Sequence, residues 1–595
     1  MRWTNTRTSR RSGSLIDPRA PRLRCGRGAF PYRHATDWSP PMWKDDVLAQ
    51  TVVPYEERRR RIEAEPLPEN IGALIDAAAA EAGDRVVWNF FESGETLTYA
   101  EMRRKVNGLA ARLVALGIGK GTHVGVMLPN VEAFPLTWLA LGRIGAVMLP
   151  INPGYTPREI AHVMKVAEAE WVVTHDSTRA VLDEADAAGL IALPAQRLIV
   201  VGRAEGGAHD WAELASTPQD AFTPPEPVGH DDLLNIQFTS GTSGFPKGCM
   251  LGQRYWISAG KVNAFRDGRT YRRILASTPF FYMDPQWLLL MTLYQRGTLF
   301  VAARQSTSRF SGWLVEHEID FCLLPWVLHG MAPQPHDAHN RVVRANIYGC
   351  PRDLHRGLEE RFDLNAREAF GMTEIGPAMF APIERADKVG SGSCGLPCPF
   401  RECRIVGEDG QPVARGEIGE LQIRGPGIML GYYNNPEATA EVLKDGWFSS
   451  GDLFRQDEDG FFHIVGRKKD MIRRSAENIA AREVETVLAA APGVAEVAVV
   501  GVPDPLRGEE VKACIRLKEG VAADAAILEG IVATAQAGLA PFKVPRFYAF
   551  VEDFPRTASL KIAKPRITAG VADLRAGSYD RATGEWIPAT EGASA

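Results

Sequence analysis

The chain has 595 residues, 45% hydrophobic and 24% charged, and 68 basic against 73 acidic side chains give a formal net charge of −5. This composition excludes a disordered, collagen-like or disulfide-scaffold chain, and the near-neutral balance gives no reason to expect nucleic acid or an anionic membrane as partner. At roughly 100–200 residues per domain the length implies two to four folding units. The longest apolar stretch, near Phe134–Tyr155, carries Arg143 and several Gly and Pro and does not read as a membrane span.

Residues 1–41 hold nine Arg against Asp17 and Asp37, with many Ser, Pro and Gly and no apolar periodicity. Such a segment cannot bury enough surface to offset its ordering entropy. It reads as disordered or non-native, either an arm or translation from upstream of a start at Met42. Organelle import through a transit peptide is the alternative to a cytoplasmic location. The run Arg58–Arg61, among Glu56, Glu57 and Glu63, predicts the solvated face of a helix. From about Glu69 the pattern is regular. Thr98-Tyr-Ala-Glu101 is a capping box, and Met102, Val106, Leu109, Ala110 and Leu113 follow at helical spacing up to Gly117. A strand is predicted at His123–Leu128, and helix then recurs with strand through Thr174. That alternation argues for parallel sheets covered by helices. After Asp470 a smaller α+β unit is expected, with strands near Val494–Val502 and Glu510–Leu517 and a helix near Asp524–Ala537. The predicted organisation is α/β: a large domain over 42–469, a smaller mobile domain over 470–572, and a flexible tail over 573–595. Eight scattered Cys form no CxxC pair and no zinc pattern, which predicts reduced, mostly buried thiols.

The strongest chemical signal is Thr239-Ser-Gly-Thr-Ser-Gly-Phe-Pro-Lys-Gly248, after the apolar run Leu233–Phe238. Glycines bring backbone N–H groups close to an anion, while hydroxyls and Lys247 add donors and charge, as a polyphosphate cradle requires. It is not a Walker A loop, because Gly248 follows Lys247 where that loop needs Ser or Thr. Ala369-Phe-Gly-Met-Thr-Glu374 supplies an aromatic ring able to stack on a base, a hydroxyl for a phosphate oxygen and a hard carboxylate ligand for Mg²⁺. Further on lie Ser449-Ser-Gly-Asp452, Gly466-Arg-Lys-Lys-Asp470 and Pro555-Arg-Thr-Ala-Ser-Leu-Lys561.

These motifs, in this order over about Asn70–Arg566, resemble those of the adenylate-forming superfamily, which includes acyl-CoA synthetases, luciferases and peptide-synthetase adenylation domains. The resemblance implies an ATP-dependent carboxylic acid:CoA ligase working through an acyl-adenylate, with ATP, Mg²⁺ and CoA as reactants and cofactors. By the same resemblance Thr239, Ser240, Gly241, Thr242, Ser243, Gly244 and Lys247 hold phosphates. Gly349, Cys350 and Pro351 line the adenine pocket, Phe370 stacks on adenine, and Gly371, Met372 and Thr373 continue the nucleotide site. Glu374 is the metal ligand, Asp452 takes the ribose hydroxyls, Arg467 contacts ribose or phosphate, and Asp470 is the hinge. Lys561 bridges the carboxylate and α-phosphate, with Lys247, Thr373 and Glu374 completing the catalytic set. Tyr282, Asp284 and Trp287 are candidates for the acid pocket, with helix-start packing as the competing reading. The chain departs from the family pattern at Phe370, usually Tyr, at Leu560, usually Gly, at Ser475 and Ala476, usually Gly-Gly, and at Tyr282, often His. Two alternatives stay open: adenylation for a carrier-protein thiol, and a catalytically degenerate nucleotide-binding protein.

Overall fold

The computed structural model describes residues 53–239, 246–474, 477–557 and 561–589. Among the described residues, three sheets organise the chain. The first is parallel in the order His209–Asp210, Leu198–Val201, Trp171–His175, His123–Met127, Val147–Pro150 and Leu233–Thr239, closed by antiparallel Lys247–Gly252. Its strands read as continuous apolar runs because helices cover the sheet, and His123–Met127 is buried throughout. The predicted capping box at Thr98–Glu101 starts the helix Tyr99–Ala115, and a second box, Thr156 with Glu159, starts Pro157–Val166.

The second sheet has fourteen strands and changes character midway. Val86–Phe90, Thr298–Val301, Arg273–Ala276, Phe321–Leu323, Arg344–Ile347 and Asn365–Met372 run parallel. From Gly376–Phe380 onward, through Ser393–Pro397, Phe462–Arg467, Trp447–Gln456, Gly419–Arg424 and Glu402–Val406, every pairing is antiparallel. The expectation of parallel sheets thus holds for one half. The reversal falls in the turn between Met372 and Gly376, inside the motif singled out above.

The third sheet forms the smaller unit, with Met471–Arg474, Gly508–Leu517 and Phe547–Phe550 at its centre and Val494–Asp504 paired on Gly508–Leu517. Helices Ala481–Ala489 and Ala525–Gly538, the latter capped by Asp524, bury Val484, Leu488, Leu528 and Ile531 in a core of its own. The tail expected from 573 is not free over 573–589. Tyr579–Asp580 and Glu585–Trp586 add two short strands to Phe547–Phe550, and Asp580 pairs with Arg546 at 2.9 Å. Two-residue strands carry too little periodicity to be read from sequence. A second correction concerns Arg58: the helix Tyr55–Ala64 exists, but Arg58 is 4% exposed and bonds Glu384 at 2.8 Å. A charge run hides a buried member when its partner lies 326 residues away.

Candidate active site

A cleft of about 1080 Å³ collects residues from the first two sheets, with Lys561 from the smaller unit. Thr239 and Lys247 face each other across the antiparallel pair Leu233–Thr239 and Lys247–Gly252, so the two described ends of the hydroxyl- and glycine-rich loop are held side by side. Ser240, Gly241, Thr242, Ser243 and Gly244 lie outside the described residues, as do Ser475, Ala476, Leu560 and residues 1–41.

Opposite that loop, Phe370, Gly371, Met372, Thr373 and Glu374 line the cleft at the reversal in the second sheet. Glycine is required twice here. A Cβ on Gly371 would stand 2.6 Å from the Gly376 carbonyl oxygen, and Gly376 has φ +64°, a left-handed conformation against the ring of Tyr255. Phe370 packs edge-on against Phe454 with ring centroids 5.1 Å apart. Glu374 is buried, accepts from the Tyr432 hydroxyl at 3.1 Å, and has its carboxyl pushed up by burial, opposed by its own backbone N–H, Tyr432 and Arg467. Lys247 Nζ stands 5.0 Å over the Tyr432 ring. Tyr432 therefore links two predicted site residues, a contact that order alone does not reveal because Glu374 lies 58 positions away.

Asp452 and Arg467 are cross-strand partners, with Arg467 Nε 3.1 Å from Asp452 Oδ1. Arg467 lines the cleft beside Ser449, Ser450 and Gly451, whereas Asp452 sits just behind them, 2% exposed. Its Oδ1 has no well-aligned donor, and burial pushes the carboxyl up while Arg467 and Arg482 oppose the shift. Gly349, Cys350 and Pro351 are not on the cleft wall. The Gly349 and Cys350 N–H groups donate to Glu368 at 3.2 and 2.9 Å. Burial pushes Glu368 up to about 7, against these two donors and Arg482. Glu368 was not identified in sequence, lying two residues before the recognised aromatic.

Among the described residues of the smaller unit, only Lys561 lines the cleft. A short hairpin presents it: Thr557 N donates to the Lys561 carbonyl at 2.8 Å, Lys561 N to Thr557 Oγ1 at 3.2 Å, and Arg556 bridges Ile562. Three residues on, Lys564 Nζ bonds Glu485 at 2.6 Å and approaches Asp470 to 3.7 Å, so Asp470 lies outside the cleft but is tied to the base of this hairpin. At the other end Tyr282, Asp284 and Trp287 line the cleft at the start of the helix Met283–Gln295. Trp287 Nε1 donates to Asp284 at 3.2 Å, and burial raises the Asp284 carboxyl while Trp287 and Lys561 lower it.

Sheets of this order, a phosphate-type loop at the end of a strand and a lysine delivered by a second unit define an adenylate-forming enzyme. Residues 75–433 match the AMP-binding enzyme family and 483–561 its C-terminal domain, and the chain belongs to that family. Among relatives, a feruloyl-CoA synthase of Amycolatopsis sp is 36% identical over 80% of this chain and 94% of its own length. A sulfoacetate–CoA ligase of Cupriavidus necator is 31% identical over 84% and 97%. The ATP-bound structure of MatB from Rhodopseudomonas palustris superposes with a TM-score of 0.73 at 27% identity, covering 84% of this chain and 98% of that one. The chain is an AMP-forming acid–thiol ligase that uses ATP, a small-molecule acid and CoA. No helix among the described residues is long and apolar enough to cross a membrane.

Proposed function

We propose that the cleft activates a carboxylic acid in two steps, with Lys561 as the switching cation. In the first step the acid's carboxylate oxygen attacks the α-phosphorus of ATP and pyrophosphate leaves. Thr239, Ser240, Gly241, Thr242, Ser243, Gly244, Lys247 and Thr373 hold the phosphates. Lys561 neutralises charge where the carboxylate meets the α-phosphate, which favours the transition state over the bound reactants. Phe370 stacks on adenine, with Gly371 and Met372 beside it. Asp452 accepts from the ribose hydroxyls, and Arg467 contacts ribose or phosphate. The free acceptor capacity of Asp452 Oδ1 supports this assignment. Glu374, a single carboxylate on the phosphate side, fits Mg²⁺, which is usually held by one or two carboxylates plus substrate phosphates. When bound, the ion supplies charge neutralisation on the phosphates.

In the second step the CoA thiol adds to the acyl carbonyl carbon, its proton passing to solvent, and AMP leaves. We place the pivot at Asp470, between a large body over 42–469 and a small one over 470–572. Rotation there exchanges Lys561 for the stretch near Ser475–Asn478. Tyr282, Asp284 and Trp287 face the acid. The observation that carries the reading is the entry of Lys561 into the cleft that also holds Thr239, Lys247, Thr373 and Glu374.

Acid-dependent ATP–pyrophosphate exchange with Mg²⁺, followed by thioester formation on adding CoA, tests it. Exchange with one class of acid is expected. ATP binding without exchange for any acid in a panel of aliphatic, aromatic, dicarboxylic and betaine-type compounds would overturn it.

A further inference from the structure

The acid end of the cleft contains a charge that the two steps above do not use. Arg266 caps the C-terminal end of the helix Gln253–Phe265, is 1% exposed and lines the cleft. Other buried arginines have obvious partners. Arg344 bonds Asp267 at 2.9 Å, Arg367 bonds Glu359, and Arg58 bonds Glu384. Arg401 donates to the carbonyls of Ile375, Phe400, Pro426 and Gly427. Among the described residues Arg266 has no carboxylate within ion-pairing distance. Its Nη2 donates to the neutral Asn346 Oδ1, an oxygen that Arg344 Nη2 also approaches at 3.4 Å. Its Nε is buried without an acceptor, and the Phe380 ring lies 4.9 Å away. A cation taken from water and left with one amide oxygen and an aromatic face costs several kcal/mol unless an anion joins it.

The surroundings suit such an anion. Asn263 and Tyr348 line the same part of the cleft, and Asn346 Nδ2 donates to the Tyr348 hydroxyl at 3.2 Å, leaving the phenolic proton available to a ligand. The opposing charge is Asp284, which lies beyond ion-pairing distance of Arg266, accepts from Trp287 and is driven by burial toward its neutral form. Arg266 packs on Phe380, which ends the strand that starts at Gly376, two residues after Glu374; four strand residues at about 3.4 Å each carry the chain roughly 14 Å away from that turn.

We propose that the acid this enzyme activates carries a second acidic group, a carboxylate or a sulfonate, at the end remote from the reacting carboxylate, and that Arg266 binds it. A guanidinium presents paired N–H donors to two oxygens of such a group. The inference rests on the ligase reading and narrows it to a substrate class.

The test is ATP–pyrophosphate exchange with matched acids on aliphatic and aromatic scaffolds: an ω-carboxylate, its ω-sulfonate, and neutral isosteres ending in methyl or carboxamide. The native enzyme is expected to prefer an acidic terminus by on the order of 100-fold in kcat/KM. The carboxylate and sulfonate arms show which terminus is used. Arg266→Met should collapse that ratio toward one, and Arg266→Lys should retain part of it. ATP affinity by calorimetry reports that the variants are folded. If Arg266→Met fails to fold, the ratio measured on the native enzyme decides alone. Equal or faster exchange with the neutral isosteres would overturn the inference and leave the ligase reading standing. No exchange with any acid, despite bound ATP, would remove both.

Discussion

The two ends of the cleft are built on different plans. The end assigned to the nucleotide takes its described residues from short runs, Thr239 and Lys247 at the two ends of one loop, then 369–374, 449–451 and 467–468, each contributing neighbours. The acid end draws isolated side chains from separate segments: Asn263 and Arg266, Asp284 and Trp287, Tyr348, and Met379. A polyphosphate read by backbone N–H groups and tight turns needs glycine and hydroxyls at fixed offsets, and this writes a motif into the chain. A substituent read by side chains needs only their directions to converge, which helices and strands far apart in sequence can supply. The nucleotide end therefore identifies the reaction, and the acid end individualises the enzyme.

The sharpest break in that comparison is Lys561→Ala, because among the described residues of the smaller unit it alone lines the cleft. Acyl-adenylate formation in a single turnover should fall by on the order of 10²–10³, as for loss of a group placed against transition-state charge. ATP affinity should stay near that of the parent. Comparable single-turnover rates would mean that its position in the cleft is incidental.

Glu368 tests whether the nucleotide end depends on a buried support behind its motifs. Its folded carboxyl is raised to about 7, so the neutral form is favoured in the native state. The stability this contributes is fully present below the ordinary glutamate range and is lost as pH rises through about 7. Relative to the parent, Glu368→Gln should gain stability by on the order of 3 kcal/mol between pH 5 and pH 8. Thermal melts of both proteins at several pH values read this directly. A gap that stays constant across that range would show that Glu368 does not titrate there.

How much was legible follows the same division. Phe370, Thr373, Glu374, Lys247 and Lys561 were found from their runs and meet in one cleft. So was the capping box at Thr98, since a cap and its partner lie three residues apart; the one at Thr156 has the same spacing and was passed over. Glu368 was missed because its ligands are backbone N–H groups, which leave no side-chain signature at 349 and 350. Arg266 was missed because a lone arginine after a helix looks like an ordinary C-terminal cation. Only the unpaired burial distinguishes it, and burial is a property of the fold. Arg58 failed in the opposite sense, a charge run in sequence and an interior ion pair in the structure. Asp452 stands out in sequence as part of a motif, yet its place behind the cleft wall was not visible in order alone.

Asp452→Ala probes that second rank of the nucleotide end. Removing it deletes the acceptor proposed for the ribose and leaves Arg467 without its cross-strand partner. Nucleotide affinity should weaken by about 10- to 100-fold, the scale of hydrogen bonds to a charged group. Unchanged ATP binding by calorimetry would take Asp452 out of the ribose site.

Tyr432→Phe should have the smallest effect and separates packing from hydrogen bonding. The ring that lies under Lys247 is kept, while Glu374 loses the donor that opposes the upward shift of its carboxyl. One such bond is worth about 1 kcal/mol, so KM for Mg·ATP should rise a few-fold. The sign with pH is fixed by the chemistry. A carboxyl pushed further up is less ionised at the acidic end of the working range, so the defect should grow as pH falls and shrink as pH rises. A pH-independent rise would place the effect on Lys247 through the ring's position, and no rise at all would mean that Glu374 binds its ligand without help from Tyr432.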